Sequence, residues 1–154
     1  MKPLGVRVPL GTIIAAAVAG PAVLVPLPAL AVTDEAEVFV SAGPAGPMLV
    51  VRDGDGDDNT FHLIRRVAGV VEVQDASSPL VPGVGCASTS PHIVRCTDAG
   101  LARFDVEAGR GNDFARVTLD LPGTVEGGPG RDHLVAHNDG ATLSGGGHAD
   151  TLVG

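Results

Sequence analysis

Apolar and polar residues alternate over much of the chain, and the alternation predicts β-strands. Two apolar runs, 38–40 and 48–51, are separated by the glycine- and proline-rich segment 43–47, as in a β-hairpin. Between residues 61 and 73, large apolar residues alternate with polar ones, which is typical of a half-buried antiparallel pair. Residues 101–107 predict a further strand that buries every second side chain. The pattern therefore favours an all-β protein.

Glycine and aspartate recur at a fixed step in the C-terminal third. Residues 127–135 read G-G-P-G-R-D-H-L-V and fit the nonapeptide G-G-x-G-x-D-x-U-x, in which U is a large apolar residue. Residues 145–153 fit except that His148 replaces the fourth glycine, and residues 108–116 keep two glycines and the aspartate. The three copies begin about two nonapeptides apart, which predicts that they stack on one edge of a coil.

This motif resembles the calcium-binding repeats of secreted hemolysin-type (RTX) proteins, over residues 108–154. The resemblance implies an N-terminal β-strand region leading into a short C-terminal parallel β-roll (β-solenoid), with Ca²⁺ held between successive turns. Glycine lets backbone carbonyls approach closely, and calcium takes about six to eight oxygen ligands from carboxylates and carbonyls. Aspartates on adjacent turns repel each other, so calcium would couple its binding to folding.

The resemblance also implies which residues hold the ion. The carboxylate ligands are expected to be Asp113, Asp132 and Asp150. The carbonyl donors are expected to be Gly109, Gly111, Gly128, Gly130, Gly145 and Gly147.

The N-terminus predicts export from the cell. Residues 1–31 combine a basic start, an apolar stretch and the small-residue sequence A-L-A, as a secretory signal peptide does. We expect a secreted, extracellular protein with a β-rich region at 32–100 and the calcium-binding coil at 101–154. No membrane span is expected after cleavage, because three prolines interrupt the apolar stretch.

Cys86 and Cys96 are the only cysteines. A secreted chain with an even number of cysteines is expected to pair them. The pair would join a hairpin whose return strand is residues 92–95.

The acidic segment 53–59, D-G-D-G-D-D-N, allows two interpretations. It begins like an EF-hand loop, but Asp58 and Ile64 stand where that loop needs glycine and a bidentate glutamate. It is therefore either a solvated acidic turn or a lone repeat-like turn with Asp58 at position six. No further copy follows it 18 residues later.

The formal net charge of −8 argues against nucleic acid and anionic membranes as partners and suits divalent cations. The chain has no G-x-S-x-G motif, and no paired carboxylates stand out from the calcium set as acid/base candidates, so we expect no enzymatic activity. The expected function is calcium binding, with any protein or cell-wall partner left open. The alternatives are a cell-surface adhesion or matrix module with purely structural calcium, and the truncated tail of a larger secreted RTX protein.

Overall fold

The computed structural model describes residues 35–54, 56–67 and 69–154, and every regular element within them is a strand. The predicted signal peptide, 1–31, lies outside these residues. In the described part of the chain, no helix is long and apolar enough to cross a membrane. The prediction of an all-β protein is therefore confirmed for the described residues.

Thirteen strands form two mixed sheets. In chain order the strands are β1 (Ala36–Gly43), β2 (Gly46–Arg52), β3 (Thr60–Val67), β4 (Val70–Asp75), β5 (Leu80–Pro82), β6 (Cys86–Ser90), β7 (Ile93–Thr97), β8 (Arg103–Glu107), β9 (Phe114–Val117), β10 (Gly123–Pro129), β11 (His133–Ala136), β12 (Ala141–Gly147) and β13 (Thr151–Val153). Sheet A has the order β12-β10-β8-β2-β1-β5, and sheet B has the order β13-β11-β9-β3-β4-β7-β6.

The hairpins predicted from the alternating residues are present. Strands β1 and β2 pair antiparallel, and so do β3 and β4. The inward side chains of the second pair, Phe61, Leu63, Val71 and Val73, have no exposed surface. Their burial accounts for the alternation, because successive side chains of a strand point to opposite faces.

Beyond β2 in sheet A and β3 in sheet B, the strands from the C-terminal part of the chain pair in parallel. In sheet A, β8 lies between β2 and β10, and β12 follows β10. In sheet B, β9 lies between β3 and β11, and β13 follows β11. The chain passes from sheet A to sheet B five times, after β2, β5, β8, β10 and β12. The crossings after β2, β8, β10 and β12 lie beside one another.

One hydrophobic core fills the space between the sheets. Leu49 of β2 is opposite Phe104 of β8, and Val106 of β8 is opposite Val125 of β10. All four are fully buried, as is Leu134 from sheet B. Each such side chain contributes about 1.5–3 kcal/mol relative to an exposed one.

The sequence predicts a boundary at Gly100 between a β-rich region and a coil. In the structure, strands from before this residue pair with strands from after it. Strand β2 pairs with β8, and β3 pairs with β9. The β2–β3 segment and the β8–β9 segment are therefore neighbours in both sheets, although they are far apart in the sequence.

The predicted disulfide between Cys86 and Cys96 is present. The two residues are directly opposite each other in the β6–β7 hairpin. Cys96 is buried within the core, and Cys86 packs against it.

Removing this disulfide should lower the free energy of unfolding by about 2–3 kcal/mol, as expected for closing a loop of roughly ten residues. Urea unfolding of the C86S/C96S double variant would measure the loss as a lower midpoint. Reduction of the wild-type disulfide should give the same midpoint as the double variant. An unchanged midpoint in both would contradict the prediction.

Candidate functional site

The turns that follow β2, β8, β10 and β12 stack into a column. The stack is fixed by the register of the strands that enter it: Arg52 is opposite Glu107, Glu107 is opposite Glu126, and Glu126 is opposite Ser144. The three glycine and aspartate segments predicted to bind calcium all lie in this column.

A ladder of hydrogen bonds runs through the column. The Asn59 backbone N–H donates to Oδ1 of Asp113 at 2.8 Å, and the Asp113 N–H donates to Oδ1 of Asp132 at 2.9 Å. The Asp132 N–H donates to Oδ1 of Asp150 at 3.0 Å. Each carboxylate thus caps the amide at the same position of the preceding turn. The structure brings the three predicted carboxylates into one row, with Asn59 at its start.

In the middle of the ladder, the second oxygen of each carboxylate receives no hydrogen bond from residues 35–54, 56–67 and 69–154. Oδ2 of Asp113 and Oδ2 of Asp132 are buried and accept no hydrogen bond from the described residues. Both residues are only 2% exposed. An unsatisfied buried polar group costs about 1–3 kcal/mol, and more when it is charged.

The glycines of successive turns are in close contact. A Cβ atom added to Gly128 would overlap the carbonyl oxygen of Gly109, and one added to Gly130 would overlap that of Gly111. A Cβ atom on Gly146 would likewise overlap the carbonyl oxygen of Gly128. These carbonyl oxygens therefore face the following turn.

In the last turn, the predicted carbonyl donors do not stand opposite those of the turn before it. The glycine opposite Gly128 is Gly146, while the predicted donor Gly147 is opposite Pro129. The other predicted donor, Gly145, lies against the carboxylate of Asp150 in its own turn. The third copy itself begins at residue 145 as predicted, and its second and fourth positions are Gly146 and His148.

His148 has a φ of 81° and is the one non-glycine residue of the described chain with a positive φ. The left-handed region costs a side-chain-bearing residue about 1–2 kcal/mol. The last turn thus keeps a backbone conformation that glycine would adopt without strain.

The acidic segment belongs to the same column, which the sequence did not reveal. A Cβ atom on Gly111 would meet the carbonyl carbon of Asp57 at 2.9 Å. The backbone N–H of Asn112 donates to Oδ1 of Asp58 at 2.7 Å, and Asn59 begins the ladder. The interpretation of a lone turn with Asp58 at position six is therefore wrong. The partner turn lies 54 residues later, and Asn59 occupies the position of the aspartate.

Burial raises the pKa of two carboxyl groups of the ladder, Asp113 and Asp132. Loss of hydration raises the pKa of the Asp113 carboxyl to about 7, although the N–H of Asn59 acts in the opposite direction. The negative charges of Asp132 and Asp53 raise the pKa of Asp113 further. Burial also raises the pKa of Asp132, and the charge of Asp150 adds to that effect. Without a cation, burial therefore favours the protonated form of Asp113 and of Asp132.

This preference predicts that the chelator-treated protein becomes less stable as the pH rises. The Asp113 pKa is raised from 3.8 to about 7 on folding, so its contribution is fully present below pH 3.8 and is lost as the pH rises through 7. We expect a lower melting temperature at pH 8 than at pH 5. In D113N this pH dependence should be weaker. An equal or higher melting temperature at pH 8 in the wild-type protein would contradict the account.

The donor set suits calcium only if backbone carbonyls take part. Among residues 35–54, 56–67 and 69–154, no three His, Cys, Asp or Glu side chains lie close enough together to hold a metal ion. In the ladder, Oδ2 of Asp113, Oδ2 of Asp132 and Oδ1 of Asn59 are buried and accept no hydrogen bond from the described residues. The carbonyl oxygens of Gly109, Gly111 and Gly128 lie between successive turns of the same column. Hard oxygen donors of these two kinds are the ligands that calcium prefers.

Comparisons of the chain with protein-family models, with curated proteins and with solved structures found no match.

Proposed function

We propose that this chain is a secreted calcium-binding protein in which Ca²⁺ is held between stacked glycine and aspartate turns. The observation that carries the proposal is the ladder of Asp113, Asp132 and Asp150, in which the buried Oδ2 atoms of the first two accept no hydrogen bond from the part of the chain that the structure describes. Buried carboxylates need a proton, a donor or a cation. Bound calcium would supply positive charge to the column in place of protons.

The chain's own residues would hold the ion in two ways. The Oδ1 atoms already cap backbone amides, so the carboxylates are fixed in orientation, and their Oδ2 atoms are left for the ion. The carbonyl oxygens of Gly109, Gly111 and Gly128 face the next turn. We further propose that the parallel strands and their turns form a short β-roll, in which calcium binding contributes to the free energy of folding.

Secretion is part of the proposal. The Cys86–Cys96 disulfide supports it, because disulfides persist in oxidising compartments outside the cytosol. Millimolar calcium is the usual working range of extracellular calcium modules, so a weak site would be filled there.

Circular dichroism and thermal melting, with excess calcium and with excess chelator, test the proposal. We expect a higher melting temperature in calcium, with magnesium giving a much smaller gain, because magnesium requires near-ideal octahedral geometry. Identical melting curves in calcium and in chelator would refute the proposed function.

A further inference from the structure

The turn after β2 differs from the later turns at its first position. Equivalent positions follow from the register of sheet A, in which the residues just before the turns are opposite one another: Arg52, Glu107, Glu126 and Ser144. The residues that follow them are Asp53, Ala108, Gly127 and Gly145. The turn after β2 thus begins with a carboxylate where the later turns have a methyl group or no side chain, and this carboxylate belongs to a buried residue.

Three side chains cross the space between the turn after β2 and the turn after β8, which we call the first gap. The Asp113 carboxylate accepts the N–H of Asn59 at 2.8 Å. In the opposite direction, Nδ2 of Asn59 donates to the carbonyl oxygen of Ala108 at 3.4 Å. A Cβ atom on Gly109 would lie 2.5 Å from Oδ2 of Asp53, so this carboxylate also reaches the turn after β8. The first gap therefore holds two carboxylates and an amide.

Two oxygen atoms at the first gap are buried without a donor. Oδ1 of Asn59 and Oδ2 of Asp113 accept no hydrogen bond from the described part of the chain, and each residue is 2% exposed. The orientation of the Asn59 amide is fixed, because its Nδ2 lies against the carbonyl oxygens of Asp57 and Ala108, which can only accept. Oδ1 of Asn59 is thus left as an acceptor that needs a donor or a cation.

A backbone oxygen and a charge repulsion add to this arrangement. A Cβ atom on Gly111 would lie 2.5 Å from the carbonyl oxygen of Asp57, so this carbonyl faces the turn after β8. The negative charge of Asp53 also raises the pKa of Asp113, because the two carboxylates repel each other. A cation between them would remove that repulsion. Carboxylates, amide oxygens and backbone carbonyls are all ligands of calcium.

We propose that the first gap is a separate calcium site, in which side-chain oxygens of Asp53, Asn59 and Asp113 hold the ion. Neither the carboxylate at the first position nor the amide belongs to the glycine and aspartate motif. The site rests on the proposed function, because Asp113 also belongs to the ladder. An amide oxygen carries no charge, and an ion bound beside Asp132 would repel a second one. The first gap should therefore bind calcium more weakly than the ladder does.

Isothermal titration of the purified, chelator-treated chain with calcium tests the site by the number of binding steps. We expect two steps in the wild-type chain. In D53N the weaker step should be lost, and the affinity of the tighter step should stay within about threefold of the wild-type value. D58N is the matched control, because Asp58 is exposed in the same turn and asparagine can still accept the N–H of Asn112. D58N should keep both steps.

The outcomes separate this site from the proposed function. A single step in the wild-type chain, or two unchanged steps in D53N, would overturn the first-gap site and leave calcium binding by the ladder intact. The absence of any calcium binding in the wild-type chain would refute both. Loss of both steps in D53N would show that the two gaps act as one site, and an equal loss in D53N and D58N would show a general effect of charge. Either result would overturn the proposal.

N59D tests whether the amide is a ligand or only a hydrogen-bond donor. Aspartate removes the N–H groups that contact the carbonyl oxygens of Asp57 and Ala108, so N59D should melt at a lower temperature than the wild type in chelator. It also adds a charged ligand, so the weaker step should tighten by about tenfold. An unchanged or weaker second step in N59D would overturn the role of Asn59. Melting curves in calcium establish that D53N, D58N and N59D are folded.

Discussion

G130A is expected to lower the free energy of unfolding by about 3 kcal/mol or more, because two stacked turns would have to separate. The added methyl carbon would overlap the carbonyl oxygen of Gly111 and lie 2.6 Å from its carbonyl carbon. Both obstructing atoms belong to the backbone, so no side-chain rotation can relieve the contact. Urea or thermal unfolding in calcium would measure the loss.

G147A is the matched control in the same column. Its added methyl carbon would meet Cα of Pro129 at 3.9 Å, which is an ordinary van der Waals contact. We expect its free energy of unfolding to stay within about 1 kcal/mol of the wild-type value, since glycine and alanine differ by roughly that amount. Similar losses in G130A and G147A would argue against close stacking of the turns.

D132N should abolish most of the stabilisation by calcium while leaving the chelator-treated protein at least as stable as the wild type at pH 8. Asparagine keeps an oxygen that can accept the N–H of Asp113, now at 2.9 Å from Oδ1 of Asp132. It removes a buried charge, and the pKa of Asp132 is raised, so that charge disfavours the folded state at pH 8. It also removes the oxygen that would bind the ion. We expect calcium affinity to fall at least tenfold, or about 1.4 kcal/mol.

D139N is the control for this prediction. Asp139 is exposed and lies between β11 and β12, away from the ladder. Its replacement removes one negative charge and should change neither the calcium affinity nor the melting temperature in chelator. If D132N and D139N respond alike to calcium, the ladder is not the binding site. If D132N is strongly destabilised in chelator, the aspartate serves mainly to cap backbone amides.

The strands and the disulfide could be predicted because their signals are local. Alternation at Phe61, Leu63, Val71 and Val73 follows directly from burial of one face, and two cysteines at hairpin spacing leave one way to pair. The row of Asp113, Asp132 and Asp150 could also be predicted, because its 19- and 18-residue steps repeat along the sequence.

The start of the ladder could not be predicted from such a step. Asn59 and Asp113 are 54 residues apart, because β4 to β7 are inserted between two neighbouring turns. An amide also replaces the expected carboxylate there, so neither spacing nor residue type marks Asn59. The sequence feature that could have revealed it is the same order of strand, turn with glycine and aspartate, and strand in residues 46–67 and 103–117.

Isothermal titration of the chelator-treated chain with calcium tests the central claim most directly, since it measures stoichiometry and affinity together. We predict saturable binding at one or two sites per chain, which is lost in a D113N/D132N double variant that still folds in chelator. The absence of saturable heat in the wild-type chain, or an unchanged isotherm in the folded double variant, would contradict calcium binding between these turns.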